Sequence, residues 1–457
     1  MERDQEIMND ESPLRRFGLL VAVAALIFLL GSQPFAQTVK PSPLPSPSAA
    51  PASDPQTTEV TVGNYDGPPT VETRPSKVHY VFPELAPNVT TLDTRVFKFR
   101  VGFAFIQDYT FITQDAGSRS QVGQQGGIGD LRSGRILLSG AIKFEKPWTY
   151  YLAYDYHEHR KSSSDDIFDA VDYFLTIPLW KKARITIGKQ KEPFIYEMVG
   201  DAAFLPQQER MLSPFFVSRN RGIKYSDNFF KDHIALNVGI FNDWKTQKVK
   251  FSDGGTQVSG RLTGLPIVSE DGREYLHLGV GARYVGSSST GNLRFKGRPE
   301  SNVIDNYVDT GDLQATHATE LAFEALYTNG PLSLLSEYAH AWVNSTQMQN
   351  PGFSGFYVTA SYVLTGENRP YDRKVGFARR IIPKSSWGAV EIVGRYSHLN
   401  LDDKLVKGGI LNKYYIGANW WTSPQWHMSG GYGFSDLNRS NAIGHTNALQ
   451  LRLQWIY

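Results

Sequence analysis

The chain has no cysteine among its 457 residues. That absence excludes disulfide frameworks, thiolate zinc sites and cysteine nucleophiles together. An excess of either charge is also missing, with 47 Lys+Arg against 45 Asp+Glu, so composition does not suggest a nucleic-acid binder. Long apolar runs are nearly absent, which excludes a polytopic helical membrane protein. What the chain does have is 41 glycines, 13% aromatic residues and a 41% hydrophobic fraction spread thinly along its length.

One run departs from that dispersal. Residues 17–30, FGLLVAVAALIFLL, follow Arg15 and Arg16. At about 1.5 Å per residue, fourteen residues fall short of a ~30 Å hydrocarbon core. A basic flank, a short apolar stretch and Gln33-Pro34-Phe35-Ala36 read as a secretory signal over residues 1–36. A short membrane anchor is the alternative. The acidic residues before Arg15 suggest translation from Met8, and Pro34 sits poorly at the minus-three position of the cleavage site. Removing residues 1–36 removes 3 basic and 5 acidic groups, which leaves 44 against 40, or +4. Residues 37–94 read as an irregular periplasmic segment. Its Pro41–Pro55 stretch is too proline-rich to bury a core and serves as a spacer.

From Arg95 to Tyr457 the dominant period is two. In RVFKFRVGFAFIQDYTF the odd positions carry Phe97, Phe99, Val101, Phe103, Phe105, Tyr109 and Phe111, and Lys98, Arg100 and Asp108 fall between them. Such alternation assigns one face to an apolar surrounding and the other to water. Counting the repeats of this pattern, with Asn220–Asp227 and Thr290–Pro299 as the weaker ones, predicts sixteen strands. The intervening segments alternate between short and long. Short turns are expected at Pro178–Lys182, Asn228–Phe230, Gly286–Ser289, Asn329–Pro331 and Thr422–Gln425. Long loops are expected at Pro193–Arg219, Trp244–Arg273, Glu300–His317 and Asn344–Ser354. The long Glu367–Trp387 connection falls on the short-turn side.

This is the plan of an all-β transmembrane antiparallel β-barrel of about sixteen strands, with aromatic girdles at Trp148, Trp180, Trp342, Trp420 and Trp426. A soluble sandwich or propeller is the competing fold. The barrel reading places the protein in the bacterial outer membrane, with lipid around it and no nucleic-acid partner.

The wet face then supplies candidate pore-lining and anion-binding residues: Lys98, Arg100, Arg135, Lys143, Arg283, Arg395 and Arg452, with Arg184 in the same phase. Arg294, Lys296 and Arg298 alternate with Leu293 and Phe295, which suggests a ladder of cations. A solvated run of charges on a rim is the other reading. The Pro193–Arg219 loop, third in order, is expected to fold inward and constrict the lumen, carrying Arg210 and Arg219, with Arg221 opening the next strand. Luminal Asp108, Asp155, Asp172, Glu320, Glu324, Glu337 and Glu391 would set up a transverse field or pair across strands. No catalytic residue, cofactor site or metal site is expected. His157, Glu158 and His159 share one strand end without an identifiable third ligand, and G-x-S-x-G and P-loop elements are missing.

The stretches GKQKEPFIYE (188–197), QQERMLSPF (207–215), YVTASYVLTGENRPYDRK (357–374) and GAVEIVGRYSHLNLDD (388–403) resemble the phosphate-selective porin O and P family. The resemblance runs from about Arg95 to Tyr457. It implies a sixteen-stranded homotrimer, an inward third loop and a basic pore, and it supports Arg210 and Arg219 as pore residues. It also makes the long Glu367–Trp387 connection a family feature. The implied function is passive diffusion of small inorganic anions, with phosphate, polyphosphate and general small-solute passage all open. A plugged structural barrel and a barrel enzyme are the remaining alternatives.

Overall fold

The computed structural model describes residues 78–457 apart from 83, 87–88, 128, 157–167 and 440–441, together with a hairpin of Glu59–Asn64 and Gly67–Thr73. The expected signal, residues 1–36, and the Pro41–Pro55 spacer lie outside the described residues.

Sixteen antiparallel strands close into a barrel. They are β1 Phe97–Gln114, β2 Gly129–Ile142, β3 Trp148–Tyr156, β4 Phe168–Pro178, β5 Arg184–Gln190, β6 Asn220–Phe229, β7 Ile234–Asn242 and β8 Thr256–Val268. The circle continues through β9 Glu274–Gly286, β10 His317–Asn329, β11 Leu332–Asn344, β12 Gly352–Val363, β13 Ala389–Asp403, β14 Val406–Trp421, β15 Trp426–Arg439 and β16 Ala442–Ile456. Closure comes from β16 on β1, where Arg452 faces Asp108 and Leu449 faces Phe111. Every strand thereby finds two neighbours, which is what a membrane-spanning sheet requires of its backbone.

Alternation works as expected along β1. Arg100, Gly102, Ala104, Ile106, Asp108 and Thr110 are buried and point inward, whereas Phe105, Tyr109 and Phe111 are exposed on the outer wall. A bulge between Ile106 and Gln107 leaves Arg132 of β2 opposite no partner residue.

Two segments exchange roles relative to the sequence reading, and the strand count survives because the errors cancel. Thr256–Val268, expected within a loop, is β8. Its outward positions include Gly260 and Gly264, which dilute the apolar face that alternation relies on. Thr290–Pro299, expected as a strand, lies in the long loop 287–316 and makes two ladders of two residues each, Asn292–Leu293 with Leu313–Gln314 and Lys296–Gly297 with Val308–Asp309. Gly286–Ser289 is accordingly the entry to that loop and not a short turn.

At one end of the barrel the connections are short, as at 179–183, 269–273 and 330–331, with the long 364–388 segment among them. At the other end lie 115–128 (L1), 191–219 (L3), 243–255 (L4) and 287–316 (L5). Much of the apolar core sits inside the barrel. Tyr196, Met198, Phe204, Leu205, Met211, Leu212 and Phe215 of L3 are almost fully buried and belong to one cluster with Leu326, Leu335, Phe353, Tyr357 and Leu399 on the inner faces of β10 to β13.

Hydrogen bonds from the inner wall fix L3 in place. Glu337 accepts from the backbone of Tyr196 at 2.6 Å and of Glu197 at 3.2 Å. The amide of Asn419 donates to the Pro206 carbonyl at 2.9 Å, and that of Gln454 to the Ala203 carbonyl at 3.1 Å. Because these wall residues point into the barrel, L3 lies within it.

The 364–388 connection also turns inward, from the opposite end. Arg261 of β8 donates to the carbonyls of Val375 at 3.1 Å and Gly376 at 2.7 Å. Tyr371 bonds His277 at 2.5 Å. The connection meets L3 directly, with the rings of Tyr196 and Phe377 at 4.5 Å and the Ala378 amide donating to the Tyr196 hydroxyl at 3.2 Å. Gly200 is required there, since a Cβ at that position would overlap the Phe377 ring.

Candidate functional site

L5 joins these two insertions, its Glu300 and Pro299 held by the inner-wall residues Arg395 and Lys413, and a cavity of about 720 Å³ remains between L3, L5 and the β8–β10 wall. Six cationic side chains line it: Arg132, Arg210, Arg283, Arg294, Lys296 and Arg298. Five carboxylates accompany them, Glu209, Asp243, Glu300, Asp312 and Glu320. L5 reaches across the mouth to L1 and the β1–β16 seam, where Ser301 bonds Thr110 at 3.3 Å, Tyr307 bonds Thr446 at 2.9 Å and the Asp305 amide donates to Gln125 at 3.0 Å.

Several of these cations are bound to carboxylates. Arg132 meets Glu209 at 2.5 Å, Arg283 holds Glu192 at 2.7 Å and Glu320 at 3.1 Å, and Arg294 meets Asp309 at 2.6 Å. Arg210 instead donates to the backbone carbonyls of Glu197 and Gly200. Among the described residues, no carboxylate lies within ion-pair distance of Arg210, Lys296 or Arg298. Burial raises the Glu209 carboxyl, but the guanidinium groups of Arg132 and Arg452 more than offset it and hold that carboxyl at about 2.

Beside the cavity is a smaller void of about 20 Å³, bounded by Arg132, Arg135, Lys191, Arg210, Arg219 and Arg452 with Asp201. Wall carboxylates partly neutralise this cluster. Arg135 donates to Asp155 at 2.9 Å, Arg219 to Asp172 at 3.2 Å and Arg452 to Asp108 at 2.6 Å. Six cations there face Asp108, Asp155, Asp172, Asp201 and Glu209, five carboxylates, which leaves a formal excess of one.

The expected site residues thus fall into groups. Arg210, Arg283, Arg294, Lys296 and Arg298 meet around the cavity, and Arg135, Arg219 and Arg452 meet with Arg210 around the small void. Arg294, Lys296 and Arg298 do so from L5 and not as a ladder on a barrel strand. Arg395 is inside but fully engaged, donating to Glu197 of L3 at 2.6 Å and to Glu300 of L5 at 2.7 Å, with the Tyr357 ring 3.7 Å from its guanidinium carbon. Lys98 and Arg100 lie on the inner face toward the short-turn end, Arg100 over the ring of Tyr457 at 5.3 Å. Arg184 is inside and bonds Asn228 at 3.0 Å.

Two expectations are corrected. Lys143 lies past the end of β2, more than a third exposed, and pairs with Asp93 beside the barrel end instead of lining its wall. Arg221 points outward, because its neighbour Asn220 is fully buried and bonds Gln257 of the inner face. Arg221 donates to the hydroxyl of outward-facing Tyr173 at 2.5 Å. Arg132 and Lys191 were missed: the bulge takes Arg132 out of the period-two phase, and Lys191 belongs to no strand. Most of the luminal acids are paired, as Glu324 is with Arg261 at 2.7 Å and Glu391 with Arg369 at 2.6 Å, whereas Glu337 holds the backbone of L3. The histidine pair at 157 and 159 lies outside the described residues.

A family model described as phosphate-selective porin O and P matches residues 99–457. The chain belongs to that family. Porin O of Pseudomonas aeruginosa is 20% identical over 407 residues, 81% of this chain and 90% of that protein. An uncharacterized protein of Caulobacter vibrioides is 26% identical over 301 residues, 61% of this chain but 59% of the relative's length. Among solved structures, the outer membrane channel DcaP of Acinetobacter baumannii superposes with a TM-score of 0.52 at 9% identity, covering 81% of this chain and all of that one. OmpT of Vibrio cholerae in its trimer form gives 0.50 at 11% identity, covering 79% of this chain and all of that one. These two share the fold. The protein is a porin of the bacterial outer membrane, so the short-turn end faces the periplasm and the long-loop end the exterior.

Proposed function

We propose that the porin passes small anions, phosphate or polyphosphate among them, by passive diffusion through the cavity and past the arginine cluster beside it. One observation carries this reading: Arg210, Lys296 and Arg298 surround the cavity with no carboxylate at ion-pair distance among the described residues. Cations already held by protein carboxylates offer a permeating anion less than cations still to be neutralised. A row of moderate sites, none of them deep, favours conduction over trapping. Lys98, Arg100, Arg135, Arg219, Arg283, Arg294 and Arg452 then contribute to a positive potential along the route. The family's description and Porin O as a relative support phosphate as the preferred ion. Weakly selective passage of small solutes is the alternative, supported by the near balance of charge on the walls. The reading is of a channel and not an enzyme.

Reversal potentials across planar bilayers in asymmetric potassium chloride test it. Anion preference is expected in the natural protein, together with block of chloride current by added phosphate. Arg210→Ala, Lys296→Ala and Arg298→Ala are each expected to lower both. A cation-selective potential in the natural protein overturns the proposal.

We further propose a homotrimer whose interface includes the outer wall of β4 to β7. Strand register places Tyr173, Lys189, Arg221 and Asn242 in one outward row. The two cations of this row lie near the long-loop ends of β5 and β6, where an outward Arg or Lys costs up to ~1 kcal/mol against lipid. A second copy of the chain covering the row removes that cost. The trimer form of the OmpT fold relative is consistent with this arrangement. Residues 1–36 are proposed as the export signal and 37–94 as a periplasmic segment.

A further inference from the structure

The cavity wall is not uniformly polar. Its apolar lining comes from Pro214, Phe216 and Val217 at the end of L3, Val285 of β9, and Leu293 of L5. All five are half-buried. Phe216, Val285 and Leu293 rest on the buried core, so the strip is held from behind while its front faces the cavity. The strip shares the cavity with Arg210, Lys296 and Arg298.

A bare inorganic anion gains nothing from such a strip, because its hydration shell is displaced there without replacement. A solute that is anionic at one end and apolar at the other gains at both. A volume of about 720 Å³ lies within the ~300–1,000 Å³ range of pockets that enclose whole organic ligands, far more than one phosphate ion fills.

We propose that this vestibule binds organic phosphates with an alkyl or aryl body, holding the phosphate group near Arg210 and Arg298 and the apolar body on the Phe216, Val217 and Leu293 strip. The inference rests on the anion-porin reading and names the class of solute that the same route prefers. The mechanism is selective crowding at the mouth: a solute concentrated there enters the arginine cluster more often at a given bulk concentration. The binding must stay weak enough for the solute to leave inward, which a single half-buried ring satisfies.

The experiment uses the full chain in planar bilayers, with block of chloride current by inorganic phosphate and by phenyl phosphate compared at a pH where both are dianions. Phenyl phosphate is expected to half-block at an about tenfold lower concentration, a ratio equivalent to ~1.4 kcal/mol. The double variant Phe216→Ser, Leu293→Ser is expected to abolish that advantage and leave block by inorganic phosphate unchanged. Arg298→Ala is expected to weaken block by both ions. Equal half-blocking concentrations in the natural protein overturn the inference, as does an advantage that persists in the double variant. Should that variant fail to assemble, methyl, propyl and pentyl phosphates on the natural protein replace it. Half-blocking concentration is expected to fall with each added carbon, and a flat series overturns the inference. A cation-selective channel that neither ion blocks defeats the anion-porin reading itself, and so is told apart from failure of the strip alone.

Discussion

Arg132 of β2 and Glu209 of L3 meet at 2.5 Å across the gap between the barrel wall and the inward loop. The arginine reaches this position because a bulge turns it out of the regular phase of its strand. The carboxylate keeps one of the vestibule's six cations from being fully available to solutes.

Replacing that carboxylate is therefore expected to strengthen anion preference. Glu209→Gln removes one negative charge beside the arginine cluster. The anion-to-cation permeability ratio should rise roughly two- to fivefold, the ratio equivalent to ~0.4–1 kcal/mol. Reversal potentials measure it directly. A lower ratio in the variant contradicts this role for Glu209.

The same group makes a pH prediction. Its ordinary value is 4.5 and in the folded porin it is held at about 2. In the folded porin the carboxylate keeps its charge until pH approaches about 2, whereas the stability it contributes is lost from about 4.5 downward. The Arg132–Glu209 pair should thus leave selectivity flat between pH 8 and pH 5. Selectivity followed by stepwise acidification, in the natural protein and in Glu209→Gln, should differ between the two until the acid limb is reached and converge only there.

Arg395 joins the wall to both L3 and L5 through Glu197 and Glu300. Arg395→Met leaves buried Glu197 without its ion-pair partner and Glu300 with Lys413 alone, a loss of ~3–5 kcal/mol by comparison with other broken buried pairs. Heat-induced unfolding in detergent should shift to lower temperature, and single-channel current should become noisier as both loops loosen. A quiet channel with unchanged heat resistance would show that the loops are held by other contacts.

Arg221→Leu tests the proposed interface. The substitution suits lipid but not a polar contact between copies. The expected result is a larger monomer fraction at a given detergent concentration, measured by light scattering. An unaltered oligomer distribution removes Arg221 from the interface.

Gly200→Ala tests the contact between the two inward segments. The added Cβ would overlap the Phe377 ring, so one segment must move away from the other. Overpacking of this kind costs ~1–3 kcal/mol. Heat resistance is expected to fall in the variant and to be restored when Phe377→Leu is added.

Barrel class and the inner face of β1 were legible in the sequence, because lipid on one side and water on the other impose a period of two over long spans; the strand number came out right only because two misassignments cancelled. Thr256–Val268 escaped notice because glycines at 260 and 264 remove apolar side chains from its outer face. The segment 290–299 was read as a strand because its alternating Leu293, Arg294, Phe295 and Lys296 suit a vestibule wall as well as a sheet. Candidate cations could be named from their phase, but their partners could not. Asp155 faces Arg135, for example, through the register of β2 on β3, which no local pattern encodes. Arg132 was illegible for a sharper reason, since a bulge breaks the very rule used to find inner residues.

The tilted contact between the rings of Tyr196 and Phe377 ties together the two ends of the lumen. Each ring belongs to a segment that enters the barrel from a different end, and the two meet in its interior. Neither segment can shift at this point without the other giving way, so the two are held as one plug although no strand joins them.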